Sequence, residues 1–343
     1  YVITSFSERG DLLRSDRTYV YSSDQEDPLF TVKGIPRIIS PDGNYVVIVK
    51  YDGYFSSKPG RSYKDYKAYR KENPEKNAVH IIEVQTQKVV ARYDVKYAYA
   101  RTAFSEDSRY LALYTHDELK VLDTLQEFRE IPLFVPGRKD ISVSRMEFSK
   151  DGQRLLVSGY GEAFLFDVPG GKHLLTLTEK ARFKSQYAAS SRSSILRKIE
   201  SKAKEFIGRY TDRFKNKPRL YAQFNNDETQ IITVAQNMLI RFWDAKTGAL
   251  VRTLDPQLPE KRDQYGRISN SIILSKDGAY ALAYNQDGFD SGTLWDLENS
   301  IKVRCYSFLG ASRVEAAISE TGDRVYALIN YDLYFLAGAP EKK

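Results

Sequence analysis

Short apolar runs separated by polar turns fill most of this chain, and one phrase of that pattern recurs. A strand-like run ends in Ser or Asn, an acidic or Asp-Gly turn follows, and a second apolar run begins. The phrase reads Ile39-Ser-Pro-Asp-Gly-Asn-Tyr-Val-Val-Ile48, then Phe104-Ser-Glu-Asp-Ser-Arg-Tyr-Leu-Ala-Leu113. It returns at Phe148-Ser-Lys-Asp-Gly, Phe224-Asn-Asn-Asp-Glu, Leu274-Ser-Lys-Asp-Gly and Ile318-Ser-Glu-Thr-Gly, with a weaker copy at Phe6-Ser-Glu-Arg-Gly10. Gly and Asp suit tight hairpins because they tolerate positive φ. The runs are rich in Val, Leu, Phe and Tyr, the residues that favour strands.

Two polar, basic stretches, roughly 51–77 and 180–217, interrupt the spacing. Without them each of the seven phrases governs about 40 residues, the length of one four-stranded propeller blade. The expected fold is all-β: a single β-propeller over residues 1–343, with seven blades and six as the alternative. The last unit offers strands at Val314–Ser319, Arg324–Ile329 and Leu333–Ala337 and then stops, one strand short. The segment Tyr1–Phe6 could supply that strand, or it could open the first unit; it cannot do both.

The third strand of a unit ends in an apolar–acidic pair: Leu122-Asp123, Phe166-Asp167, Trp243-Asp244 and Trp295-Asp296, with Ile82-Glu83 displaced by its insert. Here the chain resembles the WD-repeat (WD40-like) propeller family. Arg241-Phe-Trp-Asp-Ala-Lys-Thr-Gly-Ala-Leu-Val-Arg-Thr-Leu254 and Thr293-Leu-Trp-Asp-Leu297 carry the likeness. It spans nearly the whole chain, but two units alone show the full dipeptide, and the Gly-His pair that opens such repeats is absent. Ser-Pro-Asp-Gly turns also occur in TolB-like and peptidase-associated propellers. The repeat, together with the lack of any catalytic constellation, leads to the expectation of a non-catalytic, WD-repeat-like platform for protein–protein interaction without a cofactor.

Charge separates the inserts from the rest. The net charge is +7, yet residues 179–219 alone hold 13 Lys and Arg against 4 acidic residues. Within them Ile195, Leu196, Ile199, Ala203, Phe206, Ile207, Tyr210 and Phe214 fall inside an arc of about 120° at helical spacing. That pattern predicts an amphipathic helix near 193–214, flanked by Arg197, Lys198, Lys202, Arg209 and Arg213. Such a helix packs on its own protein, docks a partner or meets an anionic membrane. The insert 51–77 interleaves Tyr63, Tyr66 and Tyr69 with basic residues including Arg70, a composition favoured at binding hot spots. The candidate partner-binding residues are therefore Tyr63, Tyr66, Tyr69, Arg70, Arg197, Lys198, Lys202, Phe206, Arg209, Tyr210 and Arg213. A protein partner is the first expectation and an anionic membrane surface the second. Nucleic acid is disfavoured, because one basic segment attracts phosphate without reading bases.

No catalytic constellation emerges. The three histidines, His80, His116 and His173, lack metal-ligand spacing. Gly170-Gly-Lys-His173 mimics the tail of a phosphate loop but follows a strand-ending Asp, which reads as a hairpin. Asn285–Gly292 is acidic with the wrong spacing for a calcium loop. The single cysteine, Cys305, excludes an intramolecular disulfide framework. The cytoplasm is the first expectation for the compartment, with periplasm or cell envelope left open. A first residue other than Met also keeps open a regulatory propeller attached to a protease or other effector enzyme.

Overall fold

A computed structural model of the chain describes residues 2–6, 17–22, 24–51, 77–95, 100–115, 118–138, 141–178, 220–235, 239–256, 270–285, 292–306, 314–329 and 332–339. Apart from one 3₁₀ turn at Thr124–Gln126, the regular structure in these residues is β. The first sheet contains β1 (Val2–Phe6), β2 (Arg17–Tyr21) and β3 (Phe30–Val32). The second contains β4 (Ile35–Ile39), β5 (Tyr45–Tyr51), β6 (Asn77–Glu83) and β7 (Val89–Asp94). The third has β8 (Ala100–Phe104), β9 (Tyr110–Thr115), β10 (Glu118–Asp123) and β11 (Arg129–Pro132), and the fourth has β12 (Arg145–Phe148), β13 (Arg154–Ser158), β14 (Glu162–Asp167) and β15 (Lys172–Thr178). The fifth follows with β16 (Leu220–Phe224), β17 (Gln230–Ala235), β18 (Ile240–Asp244) and β19 (Leu250–Leu254). The sixth has β20 (Asn270–Leu274), β21 (Tyr280–Asn285), β22 (Gly292–Asp296) and β23 (Ile301–Tyr306). The seventh ends the series with β24 (Val314–Ile318), β25 (Arg324–Ile329) and β26 (Asp332–Ala337).

Within every sheet the strands lie in chain order, each paired with the next. Seven sheets of this kind make the protein an all-β propeller with seven blades, and the six-blade alternative falls. The expectation of four strands per blade holds for the middle five sheets; among the described residues the first and seventh have three. The ambiguity over the N-terminal segment is resolved as well. β1 pairs with β2, Val2 opposite Tyr21 and Phe6 opposite Arg17, so it opens the first sheet and does not complete the last. The helix expected near 193–214 lies outside the described residues.

Two compact units are formed, one by residues 1–157 with 165–174 and the other by 158–164 with 175–343. In the first unit, Val47, Val49, Val79 and Ile81 of the second sheet pack against Leu111, Leu113 and Leu122 of the third. The opposite face of the second sheet, through Val46, Ile48 and Ile82, meets Val20 of the first. In the second unit, Phe242 and Ile232 pack toward Ala281 and Leu297, and Leu282, Tyr284 and Leu294 toward Val325 and Ala327. Each middle sheet is thus apolar on both faces, which is why its strands read as continuous apolar runs and not as strict alternation. β9, Tyr-Leu-Ala-Leu-Tyr-Thr, is buried at all six positions. Burying one such leucine contributes roughly 1.5–3 kcal/mol.

The recurrent phrase has one structural meaning. Phe6, Ile39, Phe104, Phe148, Phe224, Leu274 and Ile318 are each the last residue of the first strand of a sheet. The Ser that follows then closes the hairpin. Its hydroxyl accepts from the amide five residues on: Tyr45 to Ser40, Tyr110 to Ser105, Arg154 to Ser149 and Tyr280 to Ser275, each at 2.9 Å. The same hydroxyl donates to the turn carboxylate, Ser40 to Asp42, Ser105 to Asp107, Ser149 to Asp151 and Ser275 to Asp277, at 2.5–2.6 Å. That carboxylate accepts in turn from the amide two residues later, as in Asn44, Arg109, Gln153 and Ala279. With both functions used, neither the buried hydroxyl nor the amide that it caps is left without a partner.

The variants of the phrase keep these bonds with other atoms. In the fifth sheet the Asn225 amide oxygen takes the bond from the Gln230 amide, at 2.9 Å. In the seventh, Thr321 stands where the others have Asp. Asp323 substitutes, accepting from the Ser319 and Thr321 hydroxyls, both at 2.7 Å. The fourth position of the turn has positive φ in all six described copies. Gly fills it at 43, 152, 278 and 322, but Ser108 and Glu228 hold φ of 60° and 59° with a side chain present.

Candidate functional site

Antiparallel order gives each sheet two unlike ends. The Ser–Asp hairpin and the turn between the third and fourth strands share one end. The connection between the second and third strands, and the exit to the next sheet, share the other.

At the turn end, the second family of turns is capped by the acidic residue that closes the third strand. Asp244 accepts from the Thr247 hydroxyl and amide, both at 2.7 Å, and from the Lys246 amide at 3.1 Å. Asp296 accepts from the amide and side chain of Asn299, Asp123 from the Leu125 amide, and Asp167 from the Gly170 amide. The Gly170-Gly171 pair is therefore a capped hairpin. Hydrogen bonds from Ser149 lower the pKa of Asp151, and hydrogen bonds from Thr229 lower that of Asp227. Every one of these carboxylates accepts at least one hydrogen bond from its own turn.

Both basic inserts depart from the opposite end. Residues 52–76 join β5 to β6, whose last register pairs are Lys50 with Ala78 and Tyr51 with Asn77. Residues 179–219 join β15 to β16, and the amide of Leu220 donates at 2.8 Å to the carbonyl of Gly159, in the connection between β13 and β14. The predicted contact residues Tyr63, Tyr66, Tyr69, Arg70, Arg197, Lys198, Lys202, Phe206, Arg209, Tyr210 and Arg213 all lie outside the described residues. What the structure fixes is where their segments are rooted.

Near the root of the first insert, one face of the second sheet sets a buried histidine near two basic side chains. His80 lies opposite Ile48 on β5 and Arg92 on β7. Lys50 is on the same face, two register pairs further along. His80 is 6% exposed, and neither ring nitrogen has a hydrogen-bond partner. Burial, followed by the Lys50 and Arg92 charges, lowers its pKa to about 4, so it is neutral at physiological pH. Arg92 itself pairs with Asp94 at 2.8 Å. His173 is half-buried, edge-on to Phe166 at 5.7 Å, and His116 is outside the described residues. Among the described residues no group of three His, Cys, Asp or Glu could hold a metal ion. None of their helices is long and apolar enough to cross a membrane.

Sequence reasoning missed a clamp made by arginines on the fourth strands. Arg252 stands opposite Phe242, its guanidinium 3.7 Å from the ring centroid, and donates to the Leu297 carbonyl and Ser300 hydroxyl of the sixth sheet. One blade on, Arg304 stands opposite Leu294 and donates to the Gly338 carbonyl of the seventh, at 3.0 Å. Leu297 and Gly338 each directly follow the third strand of their sheet. The only sequence sign was Val-Arg in both fourth strands, which gains meaning once their pairing is known.

No protein-family model matches the chain, and no curated protein does. Among solved structures it is similar to the Cps50 (Swd1) β-propeller domain of Myceliophteria thermophila. Identity is 14%, over 89% of this chain and 84% of that one, with a TM-score of 0.49. That likeness is too distant to transfer a partner or an activity.

Proposed function

We propose that the protein is a non-catalytic interaction platform, a divergent WD-repeat-like propeller that holds protein partners through its two basic inserts. The observation that carries this reading is the rooting of both inserts at the connection ends of their sheets, away from the capped turns. Residues 179–219 hold 13 of the 52 basic side chains, so the attraction is concentrated in one graft. Charge of this kind steers acidic partners and speeds their encounter. The amphipathic pattern of 193–214 supplies the apolar stripe that a docking helix needs.

The test starts from the native protein and the partner that co-purifies with it. Deleting 185–215 is expected to leave the melting temperature of the propeller nearly unchanged and to abolish recovery of that partner. Reversing Arg197, Lys198 and Lys202 to Glu is expected to weaken recovery and remove its salt dependence. Undiminished recovery by the deletion variant overturns the reading. Flotation with anionic liposomes, lost on the same deletion, would reassign the segment to a membrane surface.

A further inference from the structure

Register places His80 on one face of the second sheet. Ile48 lies opposite it on β5, and Ile82 follows it two residues later on β6. Both isoleucines pack on Val20 of the first sheet, in one apolar cluster with Val46 and Val84. Side chains alternate between the faces of a strand, so the His80 ring belongs to the joint between the first and second sheets. Val79 and Ile81, its neighbours in the chain, serve the opposite joint, with the third sheet.

The two joints differ in depth. The third sheet sets Leu111, Leu113 and Leu122 against the second, all fully buried. To its own joint the first sheet gives one fully buried apolar side chain among the described residues, Val20, while Leu29, Phe30 and Val32 are partly covered. Local opening begins where buried apolar contacts are fewest.

Inside the first joint a proton on the ring meets no acceptor. His80 is 6% exposed, and both its nitrogens lack a hydrogen-bond partner. From β7, Arg92 stands directly opposite, and Asp94, two register pairs along, is held by Arg92 at 2.8 Å. From β5, Lys50 adds a second positive charge on the same face. Thr18 and Val20 of β2, with Phe30 and Val32 opposite them on β3, bring no ionisable group to this face. Lys33, just past β3, and Asp24, Glu26 and Asp27, in the link from β2 to β3, are exposed. Burial first, then the Lys50 and Arg92 charges, lower the pKa of the ring to about 4.

We infer that the joint between the first and second sheets is an acid-sensitive latch closed by neutral His80, so that mild acid releases β1–β3 and uncovers Val46, Ile48 and Ile82 while the second and third sheets stay packed. Opening lets the ring take one proton from water, and closing returns it. The closed ring titrates at about 4 and the ordinary one at 6.5, so the open state binds more protons and gains as the pH falls from 6.5 towards 4. The opening constant rises about twentyfold between pH 7 and pH 5. This device requires neither the basic inserts nor a partner.

Native-state amide exchange of the intact protein, corrected for the intrinsic effect of pH, reads the opening. Amides of 18–21 and 30–32 are expected to lose protection about twentyfold between pH 7 and pH 5. Their exchange should depend little on added urea, because local opening exposes little surface. Amides of 110–115 and 118–123 are expected to stay better protected at both pH values and to respond steeply to urea. Equal protection and an equal urea slope in the two groups would mean that the molecule opens only as a whole, which overturns the proposal. His80→Phe is expected to abolish the change at 18–21 and 30–32, and its persistence overturns the proposal too. An NMR titration of the His80 ring in the unaltered protein keeps the test open if His80→Phe does not fold. With the first sheet still protected, the ring is expected to stay neutral down to pH 5; protonation near 6.5 in that closed state overturns the latch.

Discussion

The two ends of the sheets obey different rules. At the turn end, a repeated side-chain and carboxylate pattern closes the described hairpins, and the bond from the amide to the serine hydroxyl recurs from Ser40 to Ser319. At the connection end, lengths vary from the short link between β13 and β14 to the 179–219 insert. A fold built from repeats needs one conserved geometry per unit and tolerates insertions elsewhere, because closing a longer loop costs entropy only logarithmically. Here the turn end holds the architecture, and the two basic inserts leave from the connection end.

The largest expected effect lies three residues in from a connection. His80 binds no proton in the folded protein until about pH 4, whereas the unfolded chain takes one near 6.5. The folded value is the lower of the two, so the unfolded state binds more protons in this window and stability falls as the pH drops through it. The loss reaches about 3 kcal/mol at pH 4 relative to pH 7. Urea midpoints at the two pH values should differ much less in His80→Phe than in the unaltered protein. Next comes the turn end itself. Ser275→Ala strands the buried amide of Tyr280 and a partner of Asp277, at a cost of about 1–3 kcal/mol. Chemical denaturation measures it, and a neutral result would deprive the repeated hydroxyl of its role.

Smaller effects sharpen the same contrast. Glu228 occupies a positive-φ position that Gly fills in most other sheets, so Glu228→Gly should stabilise by up to about 1 kcal/mol. Replacing 52–76 by Asn-Gly joins Tyr51 to Asn77 through a two-residue hairpin that their register already allows. Its melting temperature should stay within a few degrees of the parent. A collapse would mean that the insert is structural and that the two ends are less distinct than their hydrogen bonds indicate.

Much of the fold was legible because the repeat speaks through side chains with fixed jobs. Phe104 and Leu274 mark strand ends, since the Ser after each can close a hairpin only there. Asp123 and Trp243-Asp244 mark the other turn for the same reason. What stayed hidden depends on pairing. Arg252 reads as an ordinary strand residue until Phe242 is known to lie opposite. Thr321 breaks the turn pattern, and only coordinates reveal that Asp323 restores it from two residues away. His80 reads as a packed strand residue, and it is packed, but the Lys50 and Arg92 charges on its face come from other strands. The candidate contact residues of the two inserts were legible as composition and amphipathic spacing alone. No repeat constrains them, so nothing in the described residues fixes their conformation.

Hydrogen exchange of the native complex against the isolated protein tests the division of labour most directly. The account predicts that partner binding slows exchange in 52–76 and 180–217 and leaves the Ser–Asp hairpins at 40–45, 105–110 and 275–280 unchanged. Protection confined to those hairpins, with both inserts indifferent to the partner, would contradict it.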